Sequence, residues 1–463
     1  MLPARLKPAL PVTPTPLPDT PPATQPPPRH YPLLPPDLPE RGLLAAEAHA
    51  RPPEPVTAPS RASYVAVRIP YTGRDAELAH IVALCHRFDV PPPAPAATQW
   101  ANNLGSLRVK WERHGEFSSY TFFKPGLGCT PFDAPAAAAL PSGWLAAIPG
   151  QTVCAAHAEL VPGPRPADAT ALAGYFGSQV VVGAGVGEGS GAAYTDFLIH
   201  ADGFAHFVLV DQAMSARQAG RMLQRLFEIE AYRMMALLAL PLARSQWPKL
   251  LTTERSLADL TAHIARPVAQ RADDDETLLH ALMALAAEVE SALAASQVRF
   301  GASRAYHALV NTRIAELREQ RIQSLQTIDE FMARRLSPAM ATCATVLQRL
   351  HDLSERVAQA SALLSTRVDI VRQQQNQALL TATAHRAKLQ LRLQQTVEGL
   401  SLAAIVYYLA GLVGYGAKAF KAAGAPVAPD LLVGASIPLL GLCVWWALRR
   451  VHHSIAHDEQ AGG

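Results

Sequence analysis

Four groups of residues carry side chains suited to chemistry. The first is Glu47, His49 and Arg51, alternating in the segment LLAAEAHARPP from Leu43. Alternate residues of an extended chain face one way, whereas a helix spreads them, and Pro52 and Pro53 bias the approach toward extended structure. A carboxylate and an imidazole side by side can act as base or metal ligands, and an arginine can clamp an anion. The same trio also makes a salt-bridged seam tying the segment to the domain that follows, and that structural use is favoured. The second group, Glu112, Arg113, His114 and Glu116, lies in KWERHGEF from Lys110, with Gly115 at the expected turn. If the first strand runs through His114, Glu112 and His114 share a face and Arg113 points to the other, so the four do not all converge.

Asp196 and Asp202 form the third group, one in a strand-like run and one in an Asp-Gly turn. The fourth is Arg221, Arg225, Glu230 and Arg233, interleaved along a helical pattern that starts at Ser215. Arg225 and Glu228, and likewise Glu230 and Arg233, stand three apart, the spacing of a salt-bridged helix surface. The alternative use is to line a site for an acidic or phosphate-bearing ligand. No arrangement amounts to a catalytic signature, so an enzyme is the less favoured expectation, and no cofactor or metal is expected.

The Gly-rich stretch VVVGAGVGEGSG from Val180 invites a nucleotide-loop reading, which its spacing rejects. Its glycines fall every second residue from Gly183 to Gly191. A dinucleotide loop needs G-x-G-x-x-G running into a helix, and a P-loop needs a Gly-Lys-Ser/Thr end. Position 188 is Glu188, and a strand-like run follows. A strand leading into a hairpin is the better reading.

The elements that position these residues follow from periodicity. Tyr64–Ile69, Ser106–Glu112, Glu116–Phe122, Val153–Leu160, Ala193–His200 and Phe204–Leu209 read as strands, and Asp75–Phe88 as an amphipathic helix with a short helix at Trp144–Ile148. Four to six largely hairpin-connected strands with packed helices give an α+β domain with a mixed or antiparallel sheet, assigned to residues 41–245. Ser215 to Leu242 is expected to be a helix ended by Pro241. Residues 246–399 form a long helical stalk, with helices over Thr253–Arg266, Asp274–Ala294 and Ser303–Arg334, a break at Pro338, and resumption from Met340. Leu350, Val357, Leu364 and Val371 are seven apart, with Leu353 and Ala360 between them, a coiled-coil pattern. Its expected partner is the 303–334 helix, or further copies of the chain in a homo-oligomer.

Two apolar stretches, Leu400–Phe420 and Leu431–Leu448, are long enough to cross a bilayer as helices. With Gly424, Pro426 and Pro429 between them they predict a two-helix transmembrane hairpin over residues 400–448. Arg386, Lys388 and Arg392 precede it and Arg449 and Arg450 follow it, which places both flanks in the cytoplasm and the connector outside. Residues 449–463 are then a cytoplasmic tail. Residues 1–40 read as a disordered Pro-rich leader, unlike a signal peptide, so the main domain is expected in the cytoplasm. The net charge of +3 with 17% charged residues argues against nucleic acid as a partner. Five scattered cysteines without a CxxC pair fit a reducing compartment.

Several segments together resemble a bacterial family of membrane-anchored proteins of unknown function. They are EAHARPP from Glu47, KWERHGEFSSYTF from Lys110, TDF at Thr195–Phe197 with the following Asp202–Gly203, AGRMLQRLFEIEAYRMMALLALPLAR from Ala219, and LQLRLQQTVEGLSLAAIVYYLAGLVGY from Leu389. The family's usual pattern has Thr where Gly115 stands. The resemblance implies a soluble α/β domain, long helices and a C-terminal hairpin in the bacterial inner membrane, and no activity. That layout is similar to magnesium-transporter relatives and mitochondrial inner-membrane assembly factors, but Gly411–Tyr415 lacks the Gly-Met-Asn pore signature of the transporters. The expected role is therefore a membrane-anchored scaffold or assembly protein whose partners are the bilayer, its own copies and another protein. A tethered ligand sensor or enzyme is the first alternative, and an oligomeric ion transporter the second.

Overall fold

Val, Tyr, Phe and Thr concentrate in short runs divided by Gly, Pro and Asn, and these runs supply most strands of one nine-stranded sheet. The computed structural model describes residues 37–48, 52–166, 170–265, 275–422 and 428–460. Its strands are β1 Ser60–Arg68, β2 Gln99–Leu104, β3 Leu107–Arg113, β4 Ser118–Pro125, β5 Gln151–Pro162, β6 Val182–Val186, β7 Gly191–Ile199, β8 Ala205–Asp211 and β9 Gln320–Arg321. They lie in the order β2-β3-β4-β1-β5-β8-β7-β6-β9. All neighbours are antiparallel except β5 and β8, which run parallel with His157 opposite His206. The sheet is mixed, and the α+β class follows from the long helices after it.

The helices are α1 Arg41–Ala48, α2 Arg74–Arg87, α3 Ala173–Phe176, α4 Ala216–Leu237, α5 Ala239–Ile264, α6 Asp275–Leu317, α7 Ile328–Ala422 and α8 Pro429–Gln460. The chain divides into two compact units. The first runs to Met235 and adds Tyr306–Leu336; the second comprises Ala236–Ala305 and the chain from Ser337.

In the first unit Ile81, Leu84 and Cys85 of α2 pack on Val65, Val67, Trp111, Tyr120 and Phe122 of the sheet. Tyr64 points to the opposite face, where its ring stacks on Phe227 of α4 at 5.0 Å. α4 opens with a capping box: Gln218 N donates to Ser215 Oγ, and Ser215 N donates to Gln218 Oε1 at 2.9 Å. In the second unit Leu257 of α5, Leu278, Leu282 and Val289 of α6, and Leu353, Val357 and Leu364 of α7 share one core. Arg349 of α7 grips Glu254 of α5 at 2.6 Å.

Several expectations need correction. The segment from Leu43 is helical through Ala48, because Leu, Ala and Glu are strong helix formers and a proline constrains only the residue before it. Glu47 therefore lies on α1, and His49 and Arg51 fall outside the described residues. β2 and β9 are additional strands; β9 is two polar residues whose pairing only tertiary structure supplies. Pro241 does not end a helix: the break falls at Leu238, and Pro241 sits in the first turn of α5, where a missing N–H costs little. The expected Ser303–Arg334 helix stops at Leu317, and α7 starts afresh behind a second capping box, Thr327 with Glu330. α7 continues through Pro338, with Met340 and Cys343 buried beyond it. The heptad residues Leu350, Leu353, Val357, Ala360 and Leu364 are buried, and the core they build is shared with α5 and the first half of α6. The chain thus supplies its own helical partners over that stretch.

Among the described residues two helices, α6 and α7, are long and apolar enough to cross a membrane. The most apolar window of α6 is 28% buried, and its leucines serve the three-helix core. That of α7 is only 6% buried. α8 carries a shorter apolar run, Val433–Ala447.

Candidate functional site

The expected site residues separate into distinct places within the first unit. Between β1, β3, β4 and α4 lies a narrow slot lined by Glu112, His114, Lys110, Gln224, Glu228 and Tyr232. The β3–β4 hairpin turns at Gly115, as its sequence implies, with His114 N donating to Phe117 O at 2.8 Å. Glu112 and His114 share the slot face, and Arg113 lies on the other. Lys110 Nζ stands 3.0 Å from Glu112 Oε1 with both side chains nearly buried, and it also donates to Pro52 O. His114 Nε2 is 3.2 Å from Ser119 Oγ, and its ring stacks on Phe117. Burial drives the phenols of Tyr64 and Tyr232 well above their ordinary range, so both stay protonated. The void in the slot is about 20 Å³. One water needs roughly 10–15 Å³ by the same measure, so the slot takes a water and not a substrate. Glu116 stands in the hairpin turn, half-buried.

On the opposite face Arg113 helps to satisfy a fully buried carboxylate. Glu77 of α2 accepts from Arg113 Nε and NH2 at 3.0 and 2.8 Å, Trp111 Nε1 at 2.8 Å and Tyr120 Oη at 3.1 Å. Four donors around one carboxylate make it a strut that locks α2 to the sheet.

Asp196 and Asp202 meet three histidines that the sequence does not single out. His206 Nε2 is 2.8 Å from Asp202 Oδ2, and His200 Nε2 is 3.0 Å from Asp196 Oδ2. The rings of His200 and His206 stack at 3.9 Å, and His157 lies 6.2 Å from His206. Phe132 and Phe204 cap the stack on His206 and His157. Burial pushes the imidazole of His157 down to about 4 and lowers that of His206, so both are neutral near pH 7. Parallel pairing of β5 with β8 sets His157 beside His206, a neighbourhood that local sequence does not reveal. Among the described residues no three His, Cys, Asp or Glu side chains come together as a metal site requires.

The arginine group divides further. Glu230 is buried and takes Arg233 through both carboxylate oxygens, while the Arg233 guanidinium lies over the Phe197 ring at 5.2 Å. That pair seals the packing of α4. Arg221 and Arg225 lie one turn apart and line an open cleft of about 250 Å³ with Gly187, Glu188, Glu316 and Arg318. Arg318, which no local pattern in the sequence ties to Arg221 and Arg225, reaches the cleft from beyond the end of α6. The Gly-rich stretch borders this cleft through its hairpin tip. A Cβ on Gly191 would lie 2.5 Å from Val210 O, so close sheet packing explains that glycine.

No curated protein and no solved structure matches the chain. A family model described as a protein of unknown function, DUF3422, matches residues 36–455, nearly the whole length. The chain belongs to this family, whose function is unknown.

Proposed function

We propose that the protein is a membrane-tethered scaffold or interaction protein, anchored by a hairpin of the apolar ends of α7 and α8 and assembling with further copies of itself. The observation that carries this reading is the course of α7 after its bundle ends. Leu379, Leu380, Leu389, Leu391, Leu393 and Val397 are each more than half exposed, and the helix then enters its apolar, unburied window. A lone helix showing large apolar side chains is marginal in water and gains stability from a partner helix. A second copy of α7 supplies one of matching length. The slot behind Glu112, with room for a water, adds no competing reading as an enzyme pocket. The basic residues flanking the hairpin support a bacterial inner membrane with both flanks cytoplasmic.

The test expresses the full chain beside a form lacking residues 400–448 and follows both through alkaline membrane washing and detergent extraction. The full chain is expected to resist the wash and to elute from detergent as a multiple of the 49.6 kDa chain. Loss of residues 400–448 is expected to release the protein to the soluble fraction. A full chain that washes off, or one that is strictly monomeric with no co-purifying protein, overturns the proposal.

A further inference from the structure

The cleft beside α4 holds charges that the fold does not require. Arg221 and Arg225 are four residues apart on one helix face, where like charges repel. Arg225 is committed to Glu316, donating Nε to Oε2 at 3.0 Å and NH1 to the backbone carbonyl at 2.9 Å. Arg221 has neither hydrogen bond nor ion pair to any described residue. Across the opening, Arg318 pairs with Glu188. Both side chains are about two-thirds exposed, at 67% and 69%, and an ion pair in that setting contributes little to stability.

Backbone conformation sharpens the point. Arg318 follows the last residue of α6 with φ 51°, and Glu188 sits between Gly187 and Gly189 with φ 62°. Both are left-handed positions that glycine fills without steric cost. The chain instead holds a guanidinium and a carboxylate there, facing one cleft.

We propose that this cleft binds a phosphate group, held by Arg221 and Arg318, with Glu188 as the resident carboxylate that the ligand displaces. The cleft's three arginines and two glutamates leave one net positive charge. With Glu188 swung out, two remain, which matches the charge of about −1.5 to −2 on a phosphomonoester at pH 7. Guanidinium forks suit phosphate oxygens in pairs. At about 250 Å³ the cleft falls just below the roughly 300–1,000 Å³ of pockets that enclose a whole drug-sized ligand. The cleft therefore has room for the phosphate together with part of the group that carries it. A soluble phosphomonoester and the headgroup of an anionic lipid present the same chemistry. The site lies wholly in the first unit and stands apart from the membrane reading.

The experiment titrates full-length protein in detergent with inorganic phosphate, glycerol phosphate and short-chain phosphatidic acid by calorimetry. Saturable binding is expected, weakened about tenfold or more by Arg221→Gln and by Arg318→Gln and strengthened by Glu188→Gln. All three side chains are at least part-exposed, so the unliganded variants should keep the parent's melting temperature, which confirms folding. Phosphatidic acid binding at least about tenfold tighter than glycerol phosphate, with the same response to the variants, identifies the lipid as source. Equal affinities identify a soluble ligand. Absence of saturable binding by all three probes overturns the proposal, as does binding indifferent to both arginine variants or weakened by Glu188→Gln.

Discussion

At the scale of single residues, the histidine stack makes a prediction about acid. His157 is 3% exposed, flanked by Phe204, and burial holds its imidazole near 4 instead of 6.5. A group with a depressed folded pKa binds its proton more readily in the unfolded chain. The stability from keeping His157 neutral is therefore complete above about pH 6.5 and is lost as pH falls toward about 4, by up to about 3 kcal/mol. His206 shifts in the same direction for the same reason, burial, and adds to the loss. Thermal melts taken between pH 7 and pH 4 should show a falling midpoint, with a shallower fall in His157→Phe. An unchanged slope in that variant would remove His157 as a source. The sequence displays each of these histidines but not their meeting, because the β5–β8 pairing joins residues some 50 positions apart. Glu77 is hidden for the same reason: its donors come from β3 and β4. Glu112, on β3, and His114, one residue past its end, line the same slot, a shared face that alternation alone suggests.

At the scale of elements, the placement of α4 depends on one glycine. A Cβ on Gly220 would stand 1.8 Å from the carbonyl oxygen of Glu54, so the segment before β1 crosses the helix in direct backbone contact. Val56 N donates to Ala216 O at 2.9 Å in the same crossing. Gly220→Ala gains helix propensity, about 1 kcal/mol at most, but must push this segment away. The clash is against backbone, and overpacking typically costs about 1–3 kcal/mol, so a net loss is expected, read as a lower melting temperature. A stabilised Gly220→Ala protein would show that the segment is free to move aside. Periodicity located α2, the β3–β4 hairpin and the α7 bundle positions correctly. It ran past the end of α6 because apolar spacing continues across Arg318–Thr327. The Thr327–Glu330 capping box, present in the sequence, marks the true restart. Pro241 and Pro338 misled in the opposite sense: one sits where no N–H is needed, and buried neighbours hold the helix through the other.

At the scale of the whole molecule, the first unit is discontinuous. Its sheet ends in β9, and Tyr306–Leu336 return to it after the chain has built most of the second unit's α5 and α6. β9 covers the outer edge of β6, with Gln320 opposite Gly185. A fragment ending at Leu237 keeps eight strands but leaves β6 uncovered and removes Leu325 and Ile322 from the core beside Tyr194. An open, apolar edge strand recruits other chains. Size-exclusion of residues 52–237 is expected to show aggregates, whereas the same experiment on a chain continued to Val371, which keeps β9 and the α7 side of the three-helix core, is expected to show less association. A monodisperse short fragment would mean that β9 is dispensable. The α+β class, the helical region and the apolar C-terminal stretches were all legible from composition and period. The return of a two-residue strand was not, since Gln320–Arg321 has no pattern of its own.

That late strand also sets a clock for biosynthesis. Arg318 meets Glu188 from 130 positions further along the chain. At about 5–20 residues per second, a ribosome takes on the order of ten seconds to deliver the partner after β6 has emerged. During that interval the hydrogen-bonding edge of β6 is open to other chains, so crowding of nascent chains on one message raises the risk of mispairing.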